Sequence, residues 1–174
     1  GVNGNQNDRS ASFAGAAYVF VRNGTNWVQQ AYLKASNAEV SDGFGRSVAI
    51  SGNTVVVAAP WESSGASGDQ ADNSAPGAGA VYVFARLGSA WSPQAYLKSS
   101  GARAYQSFGE CVSVSGGQLA VGSRGTIGGG FDPVGGVFNT GNSTAAAASI
   151  FTRGDPWRES ARLEAAQSEI TDHF

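Results

Sequence analysis

Between Phe44 and Lys98 four extended runs are separated by turn residues. In Phe44-Gly45-Arg46-Ser47-Val48-Ala49-Ile50-Ser51 larger side chains alternate with small or polar ones, the period of a strand. Thr54-Val55-Val56-Val57-Ala58-Ala59 is instead continuous, the pattern of a strand covered on both faces. Gly52-Asn53 lies between them and predicts a two-residue hairpin turn, since both residues tolerate positive φ. A third run is Gly79–Ala85 and a fourth is Trp91–Lys98. Pro93 lacks the amide a ladder needs, which places the fourth strand at a sheet edge, and Lys98 is expected to guard that edge against stray pairing.

The same runs recur. Tyr18 returns as Tyr82, Trp27 as Trp91, Leu33 as Leu97 and Phe44-Gly45 as Phe108-Gly109, each pair 64 positions apart. A third, diverged copy sets Phe151, Trp157, Leu163 and Phe174 66 or 67 positions after Phe84, Trp91, Leu97 and Phe108. Four antiparallel strands, repeated, make the blades of a β-propeller. A β-solenoid has shorter coils without such hairpins, and a two-sheet sandwich needs no repeated sequence. The predicted fold is all-β: residues 1–43 form strands three and four of one blade and a linker, 44–107 a complete blade, 108–173 a complete diverged blade, and 174 starts the next. Because two and a half blades cannot close a ring, further blades are expected, from a longer chain or from other protomers.

These residues also resemble a known family. Phe44-Gly45, Ser47-Val48-Ala49 and Val55-Val56-Val57-Ala58-Ala59-Pro60 are similar to the FG-GAP repeat of integrin α-subunit propellers and their bacterial relatives, with Ala58-Ala59-Pro60 where that family has Gly-Ala-Pro. The next copy keeps Phe108-Gly109 but has Gly122-Ser123-Arg124 at the second motif. The resemblance implies a seven-bladed propeller on a cell surface. It also implies calcium in an Asp/Asn-rich loop between the two motifs. Here that connection is only Ser51-Gly52-Asn53 in one copy and Ser115-Gly116-Gly117-Gln118 in the other. Neither can wrap an ion that takes six to eight oxygen ligands, so the family's calcium is not carried over and no cofactor is expected.

Composition removes several function classes. Charged residues make up 14% and the formal net charge is −2, without a Lys/Arg cluster, so no nucleic-acid footprint is present. No apolar run reaches the length of a membrane-spanning segment. The single Cys111 excludes an intrachain disulfide framework and a thiolate zinc site, and its place opposite Ser47 of the other copy predicts a small buried filler. One Cys, no Met and few Lys fit an extracellular or cell-surface protein. The chain begins at Gly1 inside a repeat, so a preceding segment is expected.

Alternation of strand direction puts the short connections (Gly52-Asn53, Arg22–Thr25, Leu87–Ser89) on one face and the long ones (Ala35–Gly43, Trp61–Ala78, Ser99–Ser107, Arg124–Ala146) on the other. Loops on a rigid scaffold are where binding resides, so the long-loop face is the predicted binding surface. Its candidate ligand-binding residues are Trp61 and Glu62, Asp69, Asp72 and Asn73, then Arg124 and Asp132. Asp69, Asp72 and Asn73 have two readings: turn-closing groups, or a cation or sugar site. Trp61 is either an exposed platform or folded back on the blade, whereas Trp27, Trp91 and Trp157 share one blade position and are expected to pack. His173 has no acid or nucleophile spaced around it, and no catalytic or metal-binding set is expected. The leading expectation is a non-enzymatic adhesion module for a protein or matrix partner. A lectin-like propeller is the alternative, and a propeller hydrolase or lyase ranks last.

Overall fold

The computed structural model of the chain describes residues 1–124, 129–131, 137–139 and 146–164. Every regular element among them is a strand. The first unit contains β1 (Ala17–Asn23) and β2 (Asn26–Leu33). The second contains β3 (Ser47–Ser51), β4 (Thr54–Ala59), β5 (Ala80–Leu87) and β6 (Ala90–Leu97). The third contains β7 (Cys111–Ser115), β8 (Gln118–Ser123), β9 (Gly129–Phe131), β10 (Val137–Asn139), β11 (Ala147–Thr152) and β12 (Arg158–Glu164). Two four-stranded antiparallel sheets result, ordered β3-β4-β5-β6 and β7-β8-β11-β12, beside the two-stranded β1-β2 sheet. These are blades of a partial β-propeller. Pro93 lies in the edge strand β6, and Gly52 makes its turn at φ +57°. The β9-β10 hairpin sits inside the connection from β8 to β11, which the sequence read as one long loop.

The two periodicities of β4 have a direct cause. Val55, Val57 and Ala59 join a core shared with the first unit, which also holds Val19, Leu33, Phe44 and Trp91. Val56 and Ala58 face the opposite way, into a core with Phe108, Leu119, Val121 and Trp157. A strand between two neighbouring sheets has no solvent side, so every residue of β4 is buried.

The Phe-Gly motif is not the start of a strand, as the sequence alternation predicted, but a clasp between units. The Phe44 amide donates to the Ala14 carbonyl (2.8 Å), and one unit on the Phe108 amide donates to the Ala78 carbonyl (2.9 Å). Each ring is buried at the joint; Phe44 stands edge-on to Tyr82 with centroids 5.2 Å apart. Gly45 and Gly109 then turn at φ +96° and +97°, a conformation that side chains rarely adopt. Opposite them, a Cβ on Gly15 or Gly79 would sit 2.0 or 2.2 Å from the Phe44 or Phe108 carbonyl oxygen, so only glycine permits the approach. The clasp delays β3 to Ser47 and β7 to Cys111.

All three outer hairpins also carry a bulge at matching places, between Val19 and Phe20, Val83 and Phe84, and Ile150 and Phe151. The extra residue on the outer strand is Gln30, Gln94 or Ser160, each skipped in its ladder. Gln30 accepts the indole N–H of Trp91 (2.7 Å) and Gln94 that of Trp157 (3.2 Å), each from the next unit. A bulge re-aims a side chain out of the pleat, and here it aims an acceptor at the neighbouring sheet. Trp91 and Trp157 pack as expected. Trp27 does not: it is 68% exposed, because no preceding sheet lies against it among the described residues.

Candidate functional site

The long connections meet at one end of the sheets and hydrogen-bond to one another. Asn37 donates to the Gln70 carbonyl and Ser36 to the Gln70 side chain, which ties the β2-β3 link to the β4-β5 loop. Asn73 donates to both carboxylate oxygens of Glu39 (3.0 and 2.9 Å), and the Trp61 amide to the Asp42 carbonyl. One unit on, the Tyr105 amide donates to the Pro76 carbonyl. The short turns gather at the opposite end, where Arg86 donates to the Asn53 side chain.

Beneath this surface lies a buried ion pair. Glu62 stands three residues past the end of β4, and Lys98 directly after β6; Nζ and Oε2 are 2.8 Å apart with side chains 4% and 1% exposed. Glu62 also accepts from Asn37 (2.9 Å) and from the Ser64 hydroxyl, and the Tyr82 hydroxyl donates to Asn37 (2.6 Å). Burial pushes the Glu62 carboxyl up, but the bonds from Lys98 and Ser64 outweigh it and hold the group below the usual carboxylate range. Glu62 is therefore no surface ligand group; it fixes the root of the Trp61–Ala78 loop. Lys98, expected as an exposed edge charge, is likewise interior and joins the sheet edge to that root.

Asp42 is a second buried carboxyl on this face. Its Oδ2 accepts the Glu39 amide (2.7 Å), and burial together with the nearby Glu62 charge raises its pKa to about 6 against the effect of that bond. One unit on, Gln106 occupies the place of Asp42 and accepts the Arg103 amide (3.3 Å). An uncharged amide thus closes the same turn, which marks Asp42 as a turn-closing group.

The remaining candidates fall into distinct settings. Trp61 combines both sequence readings: its ring lies over Gly43, with the Arg46 guanidinium 5.7 Å from the ring centroid, yet the residue stays 46% exposed. Asp69 accepts the Ala71 amide (3.0 Å) and Asp72 the Ser74 amide (2.9 Å), the geometry of Asx turns, and Asp72 also accepts the Gly65 amide across the loop (3.3 Å). Hydrogen bonds led by those from Ser74 hold the Asp72 carboxyl below its ordinary range. Arg124 pairs with Glu110 (2.7 Å) at the rim of the third unit. Asp132, His173 and Phe174 lie outside the described residues. Among the described residues no three acidic, His or Cys side chains converge. Cys111, expected as a buried filler, is exposed, because it opens β7, the outermost strand of its sheet on that side.

Residue pairing could not have been read for Glu62. The signal available was only that Lys98 recurs at Lys34 in the first copy. There Lys34 donates to the Gly15 carbonyl instead (2.5 Å).

Comparison with known families finds an FG-GAP repeat over residues 27–84, a span from β2 into β5 that includes the first clasp, all of β3 and β4, and the loop root at Glu62. No curated protein matches the chain. No helix among the described residues is long and apolar enough to cross a membrane.

Proposed function

We propose that this FG-GAP repeat chain is a non-enzymatic interaction module, acting outside the cell or at its surface and binding a protein or matrix partner through the long-loop face. The observation that carries the reading is the knitting of that face. Consecutive long connections are cross-linked by Asn37, Gln70, Glu39 and Asn73 and rooted on a buried ion pair, so they present one continuous surface. Preorganised loops bind without a large ordering cost. Trp61, Asp69 and Asn73 lie on that surface with exposed area. No cofactor is assigned to it.

The test is binding to immobilised matrix proteins and to a glycan array, with Trp61→Ala, Asp69→Ala and the short-turn variant Leu87→Ser compared in parallel. The expected outcome is a loss of matrix-protein binding of about tenfold or more in Trp61→Ala, the size expected for an aromatic anchor, with Leu87→Ser unchanged. Binding lost only in Leu87→Ser would place the interaction on the opposite face and sink the proposal. Selective glycan binding that disappears in Trp61→Ala would favour the lectin-like alternative, for which the half-exposed indole beside Arg46 is the supporting observation.

A further inference from the structure

The carboxylate of Glu62 serves two partners at once. Its Oε2 faces the Lys98 amine at 2.8 Å, and its Oε1 accepts the side-chain amide of Asn37 at 2.9 Å. One buried group thus holds an amine and a carboxamide side by side. The carbonyl end of that carboxamide is engaged as well, since the Tyr82 hydroxyl donates to Asn37 Oδ1 (2.6 Å). The side chains of Glu62 and Lys98, and Tyr82 as a whole, are closed to water. Burial lowers the Lys98 pKa against the pull of Glu62, the direction that frees an amine for attack. Asn37 comes from the β2-β3 link, Glu62 from the β4-β5 loop and Lys98 from the end of β6, so three separate connections converge here. The repeat itself does not require the set. One unit on, Gly101 stands at the place of Asn37 and Glu164 at that of Lys98.

We propose that Lys98 and Asn37 are joined by an isopeptide bond that the chain forms by itself, with Glu62 moving the protons and Tyr82 holding the oxyanion. The Lys98 ammonium gives one proton to Glu62 Oε2, and the neutral Nζ swings from Oε2 to attack Asn37 Cγ. Negative charge develops on Oδ1, where the Tyr82 hydroxyl already donates. Glu62 then passes its proton to Nδ2 and takes one from the newly bonded Nζ. The Cγ–Nδ2 bond breaks, and ammonia leaves with the proton held on Glu62, as ammonium. An ammonium and a carboxamide have become a secondary amide and an ammonium ion, a balance that needs no oxidant, reductant or co-reactant. Holding both reactants on one carboxylate removes much of the entropy cost of bringing them together. The product straps the link between the first two units to the edge of the second sheet, whichever partner the long-loop face binds.

The experiment is mass spectrometry of the intact chain, taken from folded protein whose β4 and β5 amides are protected from exchange, followed by tryptic mapping. The expected mass is about 17 Da below that of the sequence, one ammonia, with the loss on a branched peptide that joins residues 35–46 to 87–103 and is uncut after Lys98. Asn37→Ala, Lys98→Arg and Glu62→Gln are each expected to have full mass and unbranched peptides. Glu62→Gln is the sharpest of these, because it keeps both reactants and an oxygen for Asn37 and removes only the proton carrier. A parent chain of full mass overturns the proposal, and that measurement stands whether or not any variant folds. So does a loss that maps to Asn3-Gly4 or Asn23-Gly24, where an Asn-Gly pair closes to a cyclic imide with the same change in mass. The branched peptide persisting undiminished in Glu62→Gln would also overturn it.

Discussion

At the scale of single residues, the two copies of one turn frame a test of electrostatics. Asp42 and Gln106 accept equivalent amides, from Glu39 and Arg103, but only Asp42 ionises. Its pKa is raised from 3.8 to about 6 by burial first and then by Glu62. The folded state therefore prefers the protonated form. That contribution to stability is complete below about pH 4, is lost as pH rises to about 6, and is absent at neutral pH. Asp42→Asn keeps an acceptor for Glu39 and removes the titration. The expected result is a variant more stable than the parent by about 1–3 kcal/mol at pH 7, the difference shrinking toward zero at pH 4. Urea melts of both proteins at pH 4, 5, 6 and 7 decide it; a difference that does not change with pH would show that ionisation of Asp42 is not the cause.

Among elements, the Glu62–Lys98 pair is the contact that fastens the β4-β5 loop to the outer edge of its sheet. Burying two charges is costly, and removing one leaves the other uncompensated, so Lys98→Met is expected to cost about 3–5 kcal/mol. In Glu62→Gln/Lys98→Met no charge remains, and Asn37 and Ser64 still face a side-chain oxygen. The double variant is expected to be more stable than Lys98→Met, with a coupling in the thermodynamic cycle of about 1–3 kcal/mol. Strict additivity in chemical denaturation would deny the pair any role as a unit. The pair also shows where sequence reading stops. Strand runs, hairpin turns and the edge assignment of Pro93 follow from local chemistry and were legible. Glu62 meets Lys98 across 36 positions, and the clasp of Phe44 with Ala14 depends on a close backbone approach, which no alternation of side chains encodes. The bulges were hidden for the same reason. A skipped residue looks like any other until its partner strand is placed, and only then does Gln30 or Gln94 become an acceptor for the next Trp.

For the whole molecule, the repeats share one chemistry but not one environment, and stability should grade accordingly. In stacked repeats each unit draws its stability from its own contacts plus those at each neighbouring interface. The second sheet has both interfaces, with β4 and β5 contributing to a core on either side. Among the described residues the first unit has one interface and two strands, and Tyr18 and Phe20 are about half exposed where Tyr82 and Phe84 are buried. This contrast was the least legible feature, since Tyr18-Val19-Phe20 and Tyr82-Val83-Phe84 are identical in sequence and differ only in what lies beside them. Native-state exchange is therefore expected to rank β4 and β5 slowest and β1 and β2 fastest. Amides of Tyr82–Phe84 should outlast those of Tyr18–Phe20 by at least about a hundredfold, because loss of a neighbour on one face and a ladder on one edge lets the unit open locally. Equal exchange in the two segments would mean that the chain opens only globally, as a single cooperative body, and that the neighbouring sheet contributes nothing of its own.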